Sequence, residues 1–421
     1  MRLPVVEGDL PPASGPLSLG EAFPHIGRLF SACGAMGALV VDASGLAGIE
    51  RSYGAETRDQ VFAALAELVA DLLGDALGAE DRVLLGETGR SEVLALLFRG
   101  PAEVEFYKRD LDRLQVRLQA GIEQRGSRVA YPYVRELPAL HVGSGSALRN
   151  PLLGADTQIL GALEQAREHA HIAARLASRL RRKRLFDLVV EGRVRSVYEP
   201  IVEVESRTVF GYEALARGPE DSELHSPASL FATASEQDLL FQLDCLCRKS
   251  GLDGARDLPG DTKLFLNIRP TTIHDPSFRA EALERTLERC GLCPSDVVLE
   301  ISEQESIDNF EIFREVRDYY GKLGFQIALD DTGSGYASLK AVVELSPEFI
   351  KVDRSFVSRI DEDPGRQEVL SAFQSVAQRI GARIIGEGLD TLEELETLGR
   401  LGIPFGQGWL FGKPHPLRSD T

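Results

Sequence analysis

From Ser196 onward the sequence repeats one theme: a short run of β-branched and aromatic residues, a polar residue at its end, then a helical stretch. TKLFLNI, DVVLEISE, FQIALDD, EFIKVD, ARIIGEG and GIPFGQGWLFG follow one another in this way. Such alternation, carried to the end of the chain, predicts a parallel α/β barrel. In barrels of this kind chemistry sits at the carboxyl ends of the strands, which is where the polar residues fall.

In chain order these ends carry Glu213, Asn267, Glu300, Asp330 with Asp331, Lys351, Glu387 and Gln407. Taken singly each has an ordinary explanation: a helix cap, a solvated loop residue, an exposed lysine. Asp330 and Asp331 could cap a helix starting near Tyr336. Ordinary explanations would have to hold independently at every strand end, however, and packing alone places no charge or amide at each. Oxygen donors without a matching set of His or Cys suit magnesium or manganese rather than zinc. Two adjacent aspartates can divide between two ions, the arrangement that activates a water and offsets charge during displacement at phosphorus.

The formal net charge of -18, from 47 Lys+Arg against 65 Asp+Glu, excludes a nucleic acid polymer as an electrostatically captured partner. Apolar runs fall short of a membrane span. Five cysteines, at 33, 245, 247, 290 and 293, without a charged-then-apolar leader at Met1–Gly20, predict a reducing cytoplasm and free thiols. Cys245 and Cys247 lie two apart in a helical pattern and do not face one zinc ion.

The text divides into four parts. Residues 1–33, rich in Pro and Gly, read as a poorly ordered leader. Residues 34–150 read as an α/β domain: a buried strand (ALVVDASGLAGI), an amphipathic helix (TRDQVFAALAELVADLLGDAL), then two strands around a Gly-containing turn (DRVLLGETGRSEVLALLF). Residues 151–195 read as a connecting helix. Its Arg181–Arg184 cluster is expected on a solvated face, and its His169 and His171 are too close in sequence to chelate. Residues 196–421 form the barrel.

The motifs YEPIV, GYEALARG, LNI, EISE, DDTGSGY, IKVD, EGLDT and QGWLFGKP run in the order of the EAL family of bacterial cyclic di-GMP phosphodiesterases, which residues 198–416 resemble. The tripeptide that names the family stands here as Glu213-Ala214-Leu215. The resemblance implies a modified (β/α)8, TIM-like barrel that hydrolyses one phosphodiester bond of cyclic di-GMP, giving linear pGpG. It implies Glu213, Asn267, Glu300 and Asp330 as ligands of a first metal, and Asp330, Asp331 and Glu387 as ligands of a second. Lys351 matches the residue that orients or activates the attacking water. Glu303 matches the anchor of the mobile loop beginning at Asp331, and Arg217, Asp353 and Gln407 match positions near substrate. Three departures stand out: Thr332 for a usual Phe, Glu199 for the Gln of YQPI, and Gly386 with a shortened Asp390 in the AEGVE run.

The first domain resembles a degenerate GGDEF domain, the diguanylate cyclase family. Asp42, Tyr53-Gly54 and Asp59 persist, but Ser44 and Ala47 replace an acid and a lysine, and Glu50-Arg51 replace the guanine-contacting Asn-Asp pair. The signature hairpin reads Gly86-Glu87-Thr88-Gly89-Arg90. The resemblance therefore implies no cyclase activity and leaves regulation or protein docking as the role of this domain, with a homodimer common among family members. The alternatives to an enzyme are a silent cyclic di-GMP receptor and a signalling scaffold. Retention of Lys351 and both aspartates favours the enzyme.

Overall fold

A computed structural model describes residues 16–87, 89–134, 137–302, 310–333 and 338–417. The chain divides into two compact units, Met1–Leu180 and Arg181–Thr421.

The first unit is built on an antiparallel sheet of β1 (Ala35–Asp42), β2 (Arg82–Leu85), β3 (Glu92–Phe98) and β4 (His141–Leu148), in the order β2-β3-β1-β4. Successive side chains of a strand point to opposite faces, and β1 supplies both. Leu39 and Val41 pack on one side with residues of the helices Ala55–Leu73 and Leu111–Arg125. Met36, Ala38 and Val40 pack on the other with Leu19, Ile26 and Phe30.

Those last residues correct the expectation of a poorly ordered leader up to residue 33. Leu19–Cys33 is a helix, α1, closed at its start by a reciprocal capping box between Ser18 and Glu21. The proline-rich text before it, and Pro24 within it, masked an apolar period at 19, 22, 26, 29 and 30 that the sheet needs to cover its second face. The connecting helix is likewise more than a connector. It spans Ala155–Glu191, and its Ile159, Leu163 and Ala166 are buried in the core of the first unit. It lies directly on β4, where Cβ atoms at Gly143 and Gly145 would come within 1.9 Å of the Ala166 carbonyl oxygen and 2.1 Å of that of Ala162. Its later residues Leu185 and Leu188 belong to a separate cluster with Leu230 and Leu243 of the second unit.

The second unit is a closed barrel of β5 (Arg195–Glu203), β6 (Val209–Arg217), β7 (Lys263–Asn267), β8 (Val297–Ser302), β9 (Gln326–Thr332), β10 (Phe349–Val352), β11 (Arg383–Gly386) and β12 (Phe405–Gln407). It departs from an all-parallel barrel at one strand: β5 runs antiparallel to both β6 and β12. The short turn between Glu203 and Val209 explains this, because a connection of that length makes a hairpin and cannot cross over. The barrel interior is filled by Ile201, Phe265, Val298, Ala328, Phe349, Ile385 and Phe405. The Arg383 guanidinium lies 4.1 Å from the centroid of the Phe349 ring and also covers Phe210 and Phe405.

Candidate active site

Side-chain alternation carries this apolar layer straight into the site. Two residues beyond each interior residue the next inward position follows: Asn267 after Phe265, Glu300 after Val298, Asp330 after Ala328, Lys351 after Phe349, Glu387 after Ile385 and Gln407 after Phe405. Glu213 stands in the same relation to Gly211. On the reversed strand β5 the count runs backward, so Glu199 precedes Ile201 and pairs across the ladder with Glu213. One polar side chain thus arises on or just after each of the eight strands, immediately past the apolar layer, which excludes water from their stems.

Lys351, 1% exposed, is the hub. Its ammonium lies 3.0 Å from Glu213 Oε2, 2.9 Å from Glu300 Oε1, 3.1 Å from Asp330 Oδ1 and 2.8 Å from Glu387 Oε1. Asn267 Nδ2 donates to Glu213 Oε1 at 3.0 Å and Glu300 Oε2 at 3.2 Å. Gln407 Nε2 donates to Glu213 Oε2 at 2.6 Å and Glu199 Oε2 at 3.2 Å.

One ammonium cannot neutralise this many acids. Burial works against the Lys351 charge, but Asp330, Glu213, Glu300 and Glu387 outweigh it and hold the ammonium well above its ordinary range. Burial likewise opposes the charge on Glu213, yet Lys351, Gln407 and Asn267 together keep that carboxyl below its ordinary range. Glu300 is pushed well up, by burial first and then by the Glu213 charge. Glu387 rises through burial, with Asp330 and Glu213 adding to it against the pull of Lys351. Burial and the adjacent Asp330 raise Asp331 to about 6.

This donor set fits a divalent cation. Glu300 Oε1 and Asp330 Oδ1 are buried and accept no hydrogen bond of good geometry, and Asp330, Asp331 and Glu387 can each offer an oxygen, all within 4.8 Å of one another. Among the described residues this is the one such grouping of His, Cys, Asp or Glu. Asp331 reaches it with a left-handed backbone, φ 56°, rare outside glycine and concentrated at functional sites. The following Gly333 has φ 109° and lies against the Phe356 ring.

The remaining expected residues fall as follows. Arg217, at the end of β6, is half-buried, donates to the Ala216 carbonyl at 2.8 Å and is paired with no carboxylate among the described residues. Asp353 is placed differently from the ring: it caps the short helix Arg354–Val357, accepting from the Ser355 N–H at 2.9 Å. Glu303, Gly335 and Tyr336 lie outside the described residues. Thr332 is fully buried, and Asp390 pairs with Arg354. Glu199, which motif reasoning marked only as a departure near substrate, proves to be a member of the ring. Its signal was available, because the period of two that marks the other seven positions also marks it. Beside the ring opens a cavity of about 300 Å³ lined by Glu213, Leu215, Pro227, Phe231, Arg248 and Asn267.

In the first unit Asp42 accepts from the Ser44 N–H at 2.9 Å, and Glu92, just past the Gly86–Arg90 hairpin, is held by Arg167. Thr88 lies outside the described residues.

Known proteins resemble the second unit most. PdeG of Escherichia coli (strain K12), named a probable cyclic di-GMP phosphodiesterase, is 30% identical over 53% of this chain and 45% of its own length. MucR of Pseudomonas aeruginosa, named a bifunctional diguanylate cyclase/cyclic di-GMP phosphodiesterase, is 24% identical over 90% of this chain and 55% of its own. The chain therefore spans about half the length of these relatives. Among solved structures, the EAL enzyme Bd1971 with cAMP and cyclic di-GMP bound aligns with a TM-score of 0.52 and 26% identity, covering 62% of this chain and 73% of that one. The EAL domain model itself matches residues 182–414, and by that match the chain belongs to the EAL domain family.

Proposed function

We propose that this chain hydrolyses one phosphodiester bond of cyclic di-GMP to linear pGpG and depends on two divalent cations, magnesium or manganese. The observation that carries the reading is the surplus of buried acid around Lys351: a phosphodiester anion can approach such a ring only when cations intervene. The printed names of PdeG and MucR and the cyclic di-GMP in the Bd1971 structure support the same substrate.

Glu213, Asn267, Glu300 and Asp330 would hold one ion, and Asp330, Asp331 and Glu387 the other. When bound, the ions would acidify a water and offset charge developing at phosphorus. Lys351, held as an ammonium by the acids of the metal-free ring, would orient or activate the attacking water. Arg217, at the end of β6 and in no ion pair among the described residues, is suited to a phosphate oxygen. By the motif resemblance, Gln407 and Asp353 would complete the substrate surroundings, and Glu303 would match the loop-anchoring position of the family.

For the first unit we infer a degenerate GGDEF-like domain that docks partners or regulates, without cyclase activity. The match to MucR over most of the chain supports that kinship, and Asp42 and Glu92 are already engaged within the domain. A cytoplasmic homodimer completes the reading. No helix among the described residues is long and apolar enough to cross a membrane.

The deciding experiment incubates the protein with cyclic di-GMP and Mg2+ or Mn2+, follows pGpG by chromatography and measures binding in parallel. Product is expected, and excess EDTA should abolish it. Equal cleavage in EDTA would overturn the metal requirement, whereas binding without product would make the chain a receptor.

A further inference from the structure

We propose that Glu199 reads the sugar of the bound dinucleotide, its carboxylate accepting a hydrogen bond from the ribose 2′-hydroxyl beside the phosphate at the ring. The assignment rests on the phosphodiesterase reading above and adds a determinant of specificity to it.

Glu199 is an inward-facing member of the ring, directly across the ladder from Glu213. It differs from the other acids in its environment: it makes no ion pair with Lys351 among the described residues and is half-buried instead of sealed. One of its oxygens, Oε2, accepts from Gln407 Nε2 at 3.2 Å. The other takes no hydrogen bond from the described residues. The same Gln407 nitrogen donates to Glu213 Oε2 at 2.6 Å, so the amide holds two carboxylates side by side and fixes where the second oxygen of Glu199 can point.

A carboxylate in this position can only accept, so it recognises a donor. Near a 3′,5′-linked phosphate, a cyclic dinucleotide has one: both ester oxygens are substituted and the base N–H edges lie beyond the sugar. What remains is the 2′-hydroxyl, on the carbon next to the esterified 3′ position. A phosphate seated against Glu213 and its neighbours brings that hydroxyl to one of the two strands beside Glu213: on β7 the inward Asn267 already donates to Glu213 and Glu300, whereas on β5 the inward residue is the acceptor Glu199.

The test compares cyclic di-GMP with its bis(2′-deoxy) analogue in the full chain loaded with Mg2+. Dissociation constants are read by stopped-flow fluorescence of Trp409, the single tryptophan, before turnover, and KM and kcat are measured separately. A hydrogen bond to a charged group should make the ribose ligand bind about tenfold tighter than the deoxy ligand in the unaltered protein. Glu199→Ala should bring the ratio close to one. Glu199→Gln keeps a neutral acceptor and should leave a ratio of about threefold. A full tenfold preference surviving in Glu199→Ala, or in Glu199→Gln should the alanine variant not fold, overturns the proposal. Failure of the parent reading has a different signature: the unaltered protein would cleave neither substrate, while the ribose-to-deoxyribose binding ratio would still decide the role of Glu199.

Discussion

Buried charge is handled in opposite ways by the first unit and by the ring of the barrel. In the first, each buried acid is matched. Glu92 accepts from Arg167 through Nε at 3.0 Å and Nη2 at 2.7 Å. Asp81 accepts from Arg99 at 2.7 and 2.8 Å and from the backbone N–H groups of Gly78 and Phe98. In the barrel a single ammonium meets the carboxylates of Glu213, Glu300, Asp330 and Glu387 at once. A completed pair satisfies the desolvated groups and holds two elements together. A surplus leaves acids with raised proton affinity and buried oxygens in want of a cation. Stoichiometry, more than burial, separates scaffold from chemistry here.

The most damaging break of this contrast is in the ring. Glu213→Ala and Lys351→Ala should each lower cyclic di-GMP turnover by about a thousandfold or more, the scale on which loss of a core catalytic group acts. Single-turnover assays of pGpG formation check this. Unchanged turnover in Lys351→Ala would show that the ammonium only balances charge.

Breaking the matched pair should act on stability alone. Removing one partner, as in Glu92→Met or Arg167→Met, should destabilise the first unit by about 3–5 kcal/mol, because the survivor is left buried and uncompensated. The double replacement Glu92→Met with Arg167→Met should recover much of that loss. Denaturant unfolding measures both. Turnover by molecules still folded should match the parent, and a fall in kcat would show that the first unit controls the ring.

How far this was legible in the sequence follows from the range of the interactions. The ring is local: a strand end plus a period of two, repeated, so Glu213 through Gln407 can be found by eye. Glu199 was missed as a site residue because it sits on β5, which runs backward and places its polar position before its apolar one. The helix Leu19–Cys33 was missed because proline-rich text outweighed an apolar period whose purpose, covering the second face of β1, appears only once the sheet exists. The Glu92–Arg167 pair joins residues on β3 and on the long helix, and no local pattern announces it. Asp353 also carries a helix-capping role that its own sequence neighbourhood announces and that the motif match did not report.

A gentler probe is pH. Asp331 is raised to about 6, while Glu300 and Glu387 are also pushed upward. Bound cations need these oxygens deprotonated, so Mg2+ or Mn2+ affinity should rise with pH through about 6, close to tenfold per unit for each proton released. Calorimetric titrations across that range measure it. The metal-free protein should respond in the opposite sense. These carboxyls bind protons more tightly folded than unfolded, so their contribution to stability falls as pH rises from the ordinary carboxylate range through about 6. A flat affinity profile would mean that the cations do not use Asp331.

The smallest effect should come from the exposed hairpin of the first unit. Glu87 and Arg90 are exposed, and the turn between them is closed by the Arg90 N–H donating to the Glu87 carbonyl at 2.9 Å. Neither side chain contributes to that bond. Glu87→Ala and Arg90→Ala should therefore leave pGpG formation unchanged and shift stability by no more than about 0.5 kcal/mol. They also distinguish two ways in which the first unit could serve the barrel. Docking through this hairpin would leave the isolated protein untouched and weaken only its association with a partner. Regulation by nucleotide bound near Glu87 would make turnover respond to GTP in the parent and fall silent in the variants. The absence of a described metal-ligating group in this unit, with Asp42 and Glu92 already satisfied internally, favours the first outcome.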